Sequence, residues 1–347
     1  MIKKLGFCLL ACFSLLGCQS SSEETRFSFS NDLAFIEKAG RIEIDLENSS
    51  QEVQDKHKEL KAILNDKEML DDIAAMTTTT ANTLETLGIQ VTAAPDSDAL
   101  TTTLREKQYT LSSNQAIDKS RILNLGSALS PNIEATIELN PKLALYSSAM
   151  PTAQYMGTLK DVGMNIHPLG QSDYMDMFIL IDVINELENY ENKENVKLME
   201  DMVNALKEVQ IILDAQAGNK KPRVAILQVA GTTVLSNDQE SVLGKIVDAL
   251  GMENVFKSSG NAEVNIEEII AQDPDYILYF THGNDTAVLE GFKETIYSED
   301  SAYRVLSAIK NERALAVADD DFIFAASVDL QIVKVIQYLA KNVYDEK

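Results

Sequence analysis

The sequence predicts an α/β protein of two lobes joined by one long rigid helix, with a ligand cleft between the lobes. Three observations carry this prediction. Short apolar runs alternate with amphipathic helical stretches from Asp71 to Leu169, a nearly continuous helical stretch runs from about Met175 to Ala217, and the alternation restarts at Arg223. The lobes are assigned to residues 70–170 and 218–347, and the connecting helical segment to residues 171–217.

In the first lobe, residues 73–76 read as a strand, followed by a Thr-rich turn and a helix closing at Gly88. Residues 89–92 and 121–125 read as the next strands. Pro131 opens a helix, since a first turn tolerates proline's missing N–H. Residues 143–146 are a buried strand, 154–162 a helix closing at Gly163, and 166–169 a strand. In the connection, Leu198, Met202, Leu206, Val209 and Leu213 recur at helical spacing. A break falls near residues 189–195, and Gly218, Asn219 and Pro222 stop the helix. The second lobe has strands at 223–227, 276–280 and 314–317, and helices at 241–250, 266–271, 301–309 and 329–343. Both lobes are thus Rossmann-like, and ligands of such sheets bind beyond the carboxyl ends of the strands.

The first twenty residues read as an export signal. Lys3 and Lys4 precede an apolar run from Leu5 to Leu16, which is shorter than the roughly 20 residues a membrane-spanning helix needs. The sequence Leu15-Leu16-Gly17-Cys18 resembles a bacterial lipobox, which implies a signal peptide over residues 1–17 and a diacylglycerol on Cys18 (a second acyl chain, such as palmitate, is needed for firm anchoring). The chain is then expected on the outer face of the cell membrane, lipid-anchored. Cys8, Cys12 and Cys18 are the only cysteines, so the folded body has no disulfide and no Cys-based metal site. Residues 18–69 read as a tether plus a short structured extension: residues 42–46 alternate like an edge strand, and 52–64 form a charged helix with His57 on a solvated face.

The net charge of −24, or −26 once Lys3 and Lys4 leave with the signal, excludes nucleic acid and anionic lipid headgroups as general electrostatic partners. With 45% apolar residues the chain can fill real cores. No metalloprotease helix, nucleophile elbow, phosphate-binding loop or spaced calcium loop is present, so no enzyme activity is expected. Asp319-Asp320-Asp321 reads as a turn at a strand end.

Several segments resemble the binding proteins of iron-siderophore, heme and cobalamin ABC importers, and most nearly the Isd-type heme-binding lipoproteins. These are residues 126–134 (GSALSPNIE), Asn140-Pro141-Lys142, residues 247–257 (VDALGMENVFK), residues 273–278 (DPDYIL) and Thr281-His282-Gly283. The resemblance spans roughly residues 70–345. It implies a monomeric binding protein that delivers heme to an ABC permease and its ATPase, without chemistry on the ligand. Two other readings stay open: the same scaffold carrying a ferric siderophore or a corrinoid, and an adhesion or sensory lipoprotein outside transport.

His282, directly after a strand, stands at a carboxyl strand end, where a neutral imidazole suits heme iron. Gly283 gives a planar ligand room. The relatives carry a methionine within the segment matching residues 126–131, where this chain has Leu129, which cannot ligate iron. Either the iron is five-coordinate or another group reaches it. By the strand-end argument Met150 and Met76 are the candidate thioethers, and Tyr155 a phenolate alternative. The resemblance assigns Glu134 and Glu267, one per lobe, to docking on permease arginines, although two acidic residues at helix N-termini need no such role. His167 reads as structural.

Overall fold

A computed structural model of the chain describes residues 24–65, 67–96, 119–127, 130–148, 153–257, 260–281, 285–317 and 328–344. The extension before the first lobe is more structured than its sequence pattern suggests. Strands β1 (Thr25–Phe29), β2 (Leu33–Lys38) and β3 (Arg41–Ile44) form an antiparallel meander, with Phe27 opposite Phe35 and Phe35 opposite Ile44. The alternation at 42–46 did mark an edge strand. Its neighbour was illegible because Leu33, Ala34, Phe35 and Ile36 are all buried, and a strand covered on both faces loses its period of two.

Helix α1 (Gln51–Leu64) starts where the Ser50 side chain accepts the Val53 N–H, and it buries Val53, His57, Leu60 and Leu64 on one face. His57 is therefore not on a solvated face: it is 3% exposed, and its position i+4 from Val53 puts it on the apolar stripe. Phe29, Phe35, Ile44, Val53 and Leu60 share one core with the connecting helices. Residues 24–64 are thus a structured extension that packs into the folded body.

The first lobe holds β4 (Ile73–Ala75), β5 (Ala93–Ala94), β6 (Leu123–Asn124), β7 (Leu143–Tyr146) and β8 (Ile166–Pro168), all parallel, in the order β8-β7-β4-β5-β6. Helices α2 (Thr78–Thr86), α3 (Ile133–Leu139) and α4 (Ala153–Asp161) alternate with them. Ile73, Ala75, Leu143 and Leu145 face the main core, while Ala74, Met76, Ala144 and Ile166 face a second cluster. The strand expected at 89–92 pairs instead at Ala93–Ala94, because the Val91 N–H goes to the buried Glu85 carboxylate.

The connection is two helices, α5 (Met175–Leu187) and α6 (Lys193–Ala215). Asn189 and Tyr190, both at positive φ, turn the chain between them, and Asn192 caps α6. At about 1.5 Å per residue α6 spans roughly 35 Å. Every α5 residue from Met175 to Asn185 is buried.

The second lobe contains β9 (Arg223–Ala230), β10 (Thr233–Ser236), β11 (Glu253–Asn254), β12 (Ala262–Glu263), β13 (Tyr276–Thr281) and β14 (Ala314–Ala316). Strands β9, β13 and β14 are parallel neighbours. The β10 hairpin, which the sequence reading missed, returns antiparallel to β9. Its helices are α7 (Val242–Ala249), α8 (Ile266–Gln272), α9 (Thr286–Tyr297) and α10 (Ile332–Tyr344), the last packed along α6. The helix expected at 301–309 is a 3-10 turn (Ala302–Val305) followed by one short helix (Ser307–Lys310). Among the described residues no helix is long and apolar enough to cross a membrane.

The start of α7 is tight. Ser241 accepts the Gly244 N–H, and a Cβ on Gly244 would lie 2.1 Å from the Asp238 carbonyl oxygen. Gly244→Ala is expected to destabilise the chain by about 1–3 kcal/mol through overpacking, read as a lower urea midpoint.

Candidate ligand-binding cleft

The first-lobe sheet reverses strand order between β4 and β7, so the crevice for a ligand opens beyond Ala75 and Tyr146. The rim there is held by a hydroxyl and amide network. The Thr77 side chain caps α2 by accepting the Thr80 N–H, and its hydroxyl bonds that of Thr80 at 2.8 Å. Thr80 donates to Gln171 Oε1 at 2.7 Å, and Gln171 Nε2 donates to Thr83 at 3.3 Å. Gln171 is fully buried and at positive φ. Sequence reasoning saw only a Thr-rich turn here; nothing local ties Gln171 to residues ninety positions earlier.

In the second lobe, Thr281 ends β13, and its hydroxyl donates to the Val229 carbonyl at 2.8 Å, which pins the strand end next to position 282. His282, Gly283, Met150, Leu129, Cys18 and Asp319 to Asp321 lie outside the described residues. Met76 follows β4, but its side chain is fully buried with Leu125, Ala144 and Met156. There it fills core volume, as methionine commonly does, rather than presenting sulfur to the cleft. Tyr155 is half-buried against the same cluster. Glu134 and Glu267 are both exposed in the first turns of α3 and α8, capped by Asn132 and Asn265. His167 bonds Asn165 at 2.9 Å, consistent with a structural role.

Among the described residues one group could hold a metal ion: His57, Asp182 and Glu186, whose ligand atoms lie within 4.8 Å of one another. It sits between α1 and α5, away from the strand ends. His57 Nε2 is 3.2 Å from Asp182 Oδ2, Asp182 Oδ1 accepts the Ile44 N–H, and the Lys61 ammonium pairs with Glu186. Burial raises the Asp182 carboxyl, and the His57 contact opposes that shift. Lys61 already supplies the charge a cation would bring, so the cluster reads as a buried tie between two helices. Sequence reasoning missed it because its partners are 125 positions apart.

Residues 73–319 match the family model described as periplasmic binding protein, and the chain belongs to that family. Its fold is that of the substrate-binding subunits of ABC importers, which bind and deliver rather than transform their ligands. An ABC transporter substrate-binding protein from Listeria monocytogenes matches with 21% identity and a TM-score of 0.60, over 79% of this chain and 99% of that one. The heme complex of IsdE from S. aureus matches with 21% identity and a TM-score of 0.56, over 79% and 98%. The vitamin B12 binding protein BtuF of Vibrio cholerae matches with 15% identity and a TM-score of 0.54, over 80% and 98%. At these identities the likeness is one of fold. No curated protein sequence matches the chain.

Proposed function

We propose that this chain is an exported, lipid-anchored receptor that captures heme outside the cytoplasmic membrane and passes it to an ABC permease. The heme reading rests on the sequence position of His282: it follows Thr281, the last residue of a central strand, and ligands of such sheets bind beyond the carboxyl ends of the strands. The heme-bound state of IsdE, a protein of the same fold, supports it. The lipid anchor rests on Leu15-Leu16-Gly17-Cys18. In this reading His282 ligates iron, apolar cleft walls hold the macrocycle, and Met150 is the candidate second ligand. Glu134 and Glu267, exposed on separate lobes, then orient the loaded protein on the permease.

Leu129 in place of methionine favours a second reading, a corrinoid or ferric siderophore on the same scaffold. Titration of the purified chain with hemin separates the two. A saturable Soret shift at one heme per chain, lost in His282→Ala, is the expected result, and the visible bands then report five- or six-coordinate iron. A shift indifferent to His282→Ala, or none at all, moves the assignment to the other cargo.

A further inference from the structure

The β1–β3 meander and α1 precede Ile73, where the family match begins, and form an N-terminal addition to the matched region. We infer that this addition is a brace that fixes the angle between the lobes, with two ion pairs at the hinge as its latch. The segment joining β8 to α5 carries Asp173, and the first turn of α5 carries Asp176. Asp176 comes from the first turn of α5 and pairs with Lys56 of the added α1, at 3.0 Å. Asp173 pairs with Lys245 of α7, in the second lobe, at 3.2 Å. The start of the connecting segment is therefore tied to the addition on one side and to the second lobe on the other.

Both carboxylates are held rigidly. Asp176 Oδ2 accepts the Ser172 and Asp173 N–H groups at 2.9 Å each, and Asp173 Oδ1 accepts the Met175 N–H at 3.1 Å. Gly170, at positive φ, is where the backbone closes on Asp176: a Cβ there would stand 2.9 Å from its Cγ. The two aspartate side chains are 5% and 3% exposed, whereas Lys245 and Lys56 are each under a third exposed. A rotation of the second lobe that withdrew Lys245 would leave the buried Asp173 carboxylate without its cation, which is strongly unfavourable, and Lys56 on Asp176 holds the backbone that positions Asp173. Ser30 of the meander adds a hydroxyl contact to Tyr174 at 3.0 Å in the same segment.

The seam has room to move if unlatched. A cavity of about 710 Å³ separates the addition from the second lobe, lined by Asp32 and Glu52 on one side, Lys245 and Asp248 on the other, and Asp173 at its floor. Of the two ion pairs, Asp173–Lys245 lies in its lining and ties the second lobe to the start of α5 there.

The test is an interlobe distance. In the full chain with Cys8, Cys12 and Cys18 replaced by serine, spin labels are placed at Glu138→Cys on α3 and Glu294→Cys on α9, both exposed positions. A single narrow distance distribution is expected. Lys245→Met and Lys56→Met should each broaden it and shift it to longer distances. Lys245→Arg and the exposed control Lys197→Met should leave it narrow. Unchanged distributions in both methionine variants overturn the brace, as does equal broadening in the Lys197→Met control. Circular dichroism checks that each variant is folded. If Lys245→Met fails to fold, Asp173→Asn carries the same comparison: it removes the charge that holds Lys245, and a narrow distribution there also overturns the proposal.

Discussion

Replacing Phe35 by alanine is expected to lower the stability of the whole chain by about 3–5 kcal/mol, the usual cost of truncating a buried aromatic. Phe35 lies in the central strand of the added meander and is 1% exposed. Its ring meets Phe178 of α5 edge-on, with centroids 5.3 Å apart, and stacks on Phe27 at 6.1 Å. Such pairs contribute about 0.5–1.5 kcal/mol beyond area burial. Phe178 in turn sits in the stretch of α5 that is buried on every side, so the cavity left by Phe35 opens into the core that joins the lobes. Urea unfolding followed by circular dichroism at 222 nm reads the effect; with no Trp in the chain, tyrosine emission is the second probe. One transition, displaced to lower urea, is expected. A separate early transition of small amplitude, with the main midpoint unmoved, would show that the meander is an independent appendage.

That coupling also marks where sequence reading stopped. The lobes were legible because their elements announce themselves locally. Leu143–Tyr146 and Tyr276–Thr281 are short apolar runs. Ser241, Asn265 and Asn192 stand where helix caps stand. The meander was hidden because β2 is covered on both faces and carries no alternation. Helix α1 was read correctly as a helix and wrongly as solvated on the His57 side, since a charged composition hides a narrow apolar stripe of Val53, His57, Leu60 and Leu64. The hinge contacts were out of reach for a different reason. Asp176–Lys56 and Asp173–Lys245 join residues that only the tertiary fold brings together, and no spacing rule connects them. At the cleft, the strand read at 276–280 runs one residue further, to Thr281, so its end was legible to within one position. The Thr77–Thr80–Gln171 network behind the rim was not. Met76 shows the limit of the strand-end argument, because the residue after a strand takes the face that the pleat assigns to it, and here that face is core.

Asp329→Asn is expected to stabilise the chain at pH 8 and to leave it nearly unchanged near pH 4. Asp329 lies just before α10 and is 6% exposed. Its Oδ1 accepts the Gln331 N–H at 2.8 Å. Burial pushes its carboxyl up to about 7, and the backbone contact with Gln331 offsets little of that. The sign follows from linkage. Between about pH 4 and 7 the folded chain keeps a proton that the unfolded chain releases, so rising pH favours unfolding across that window and the penalty levels off above it. A shift from 3.8 to about 7 corresponds to at most about 4 kcal/mol at pH 8. Asparagine keeps the acceptor for the Gln331 N–H and removes the charge, so the penalty disappears while the turn survives. Because the other carboxylates titrate alike in both chains, the difference between variant and parent isolates this one group. Urea midpoints of both chains at pH 4 and pH 8 give it directly. A stabilisation that does not grow with pH would mean that Asp329 is ionised and satisfied in the folded state, by a partner beyond the Gln331 N–H.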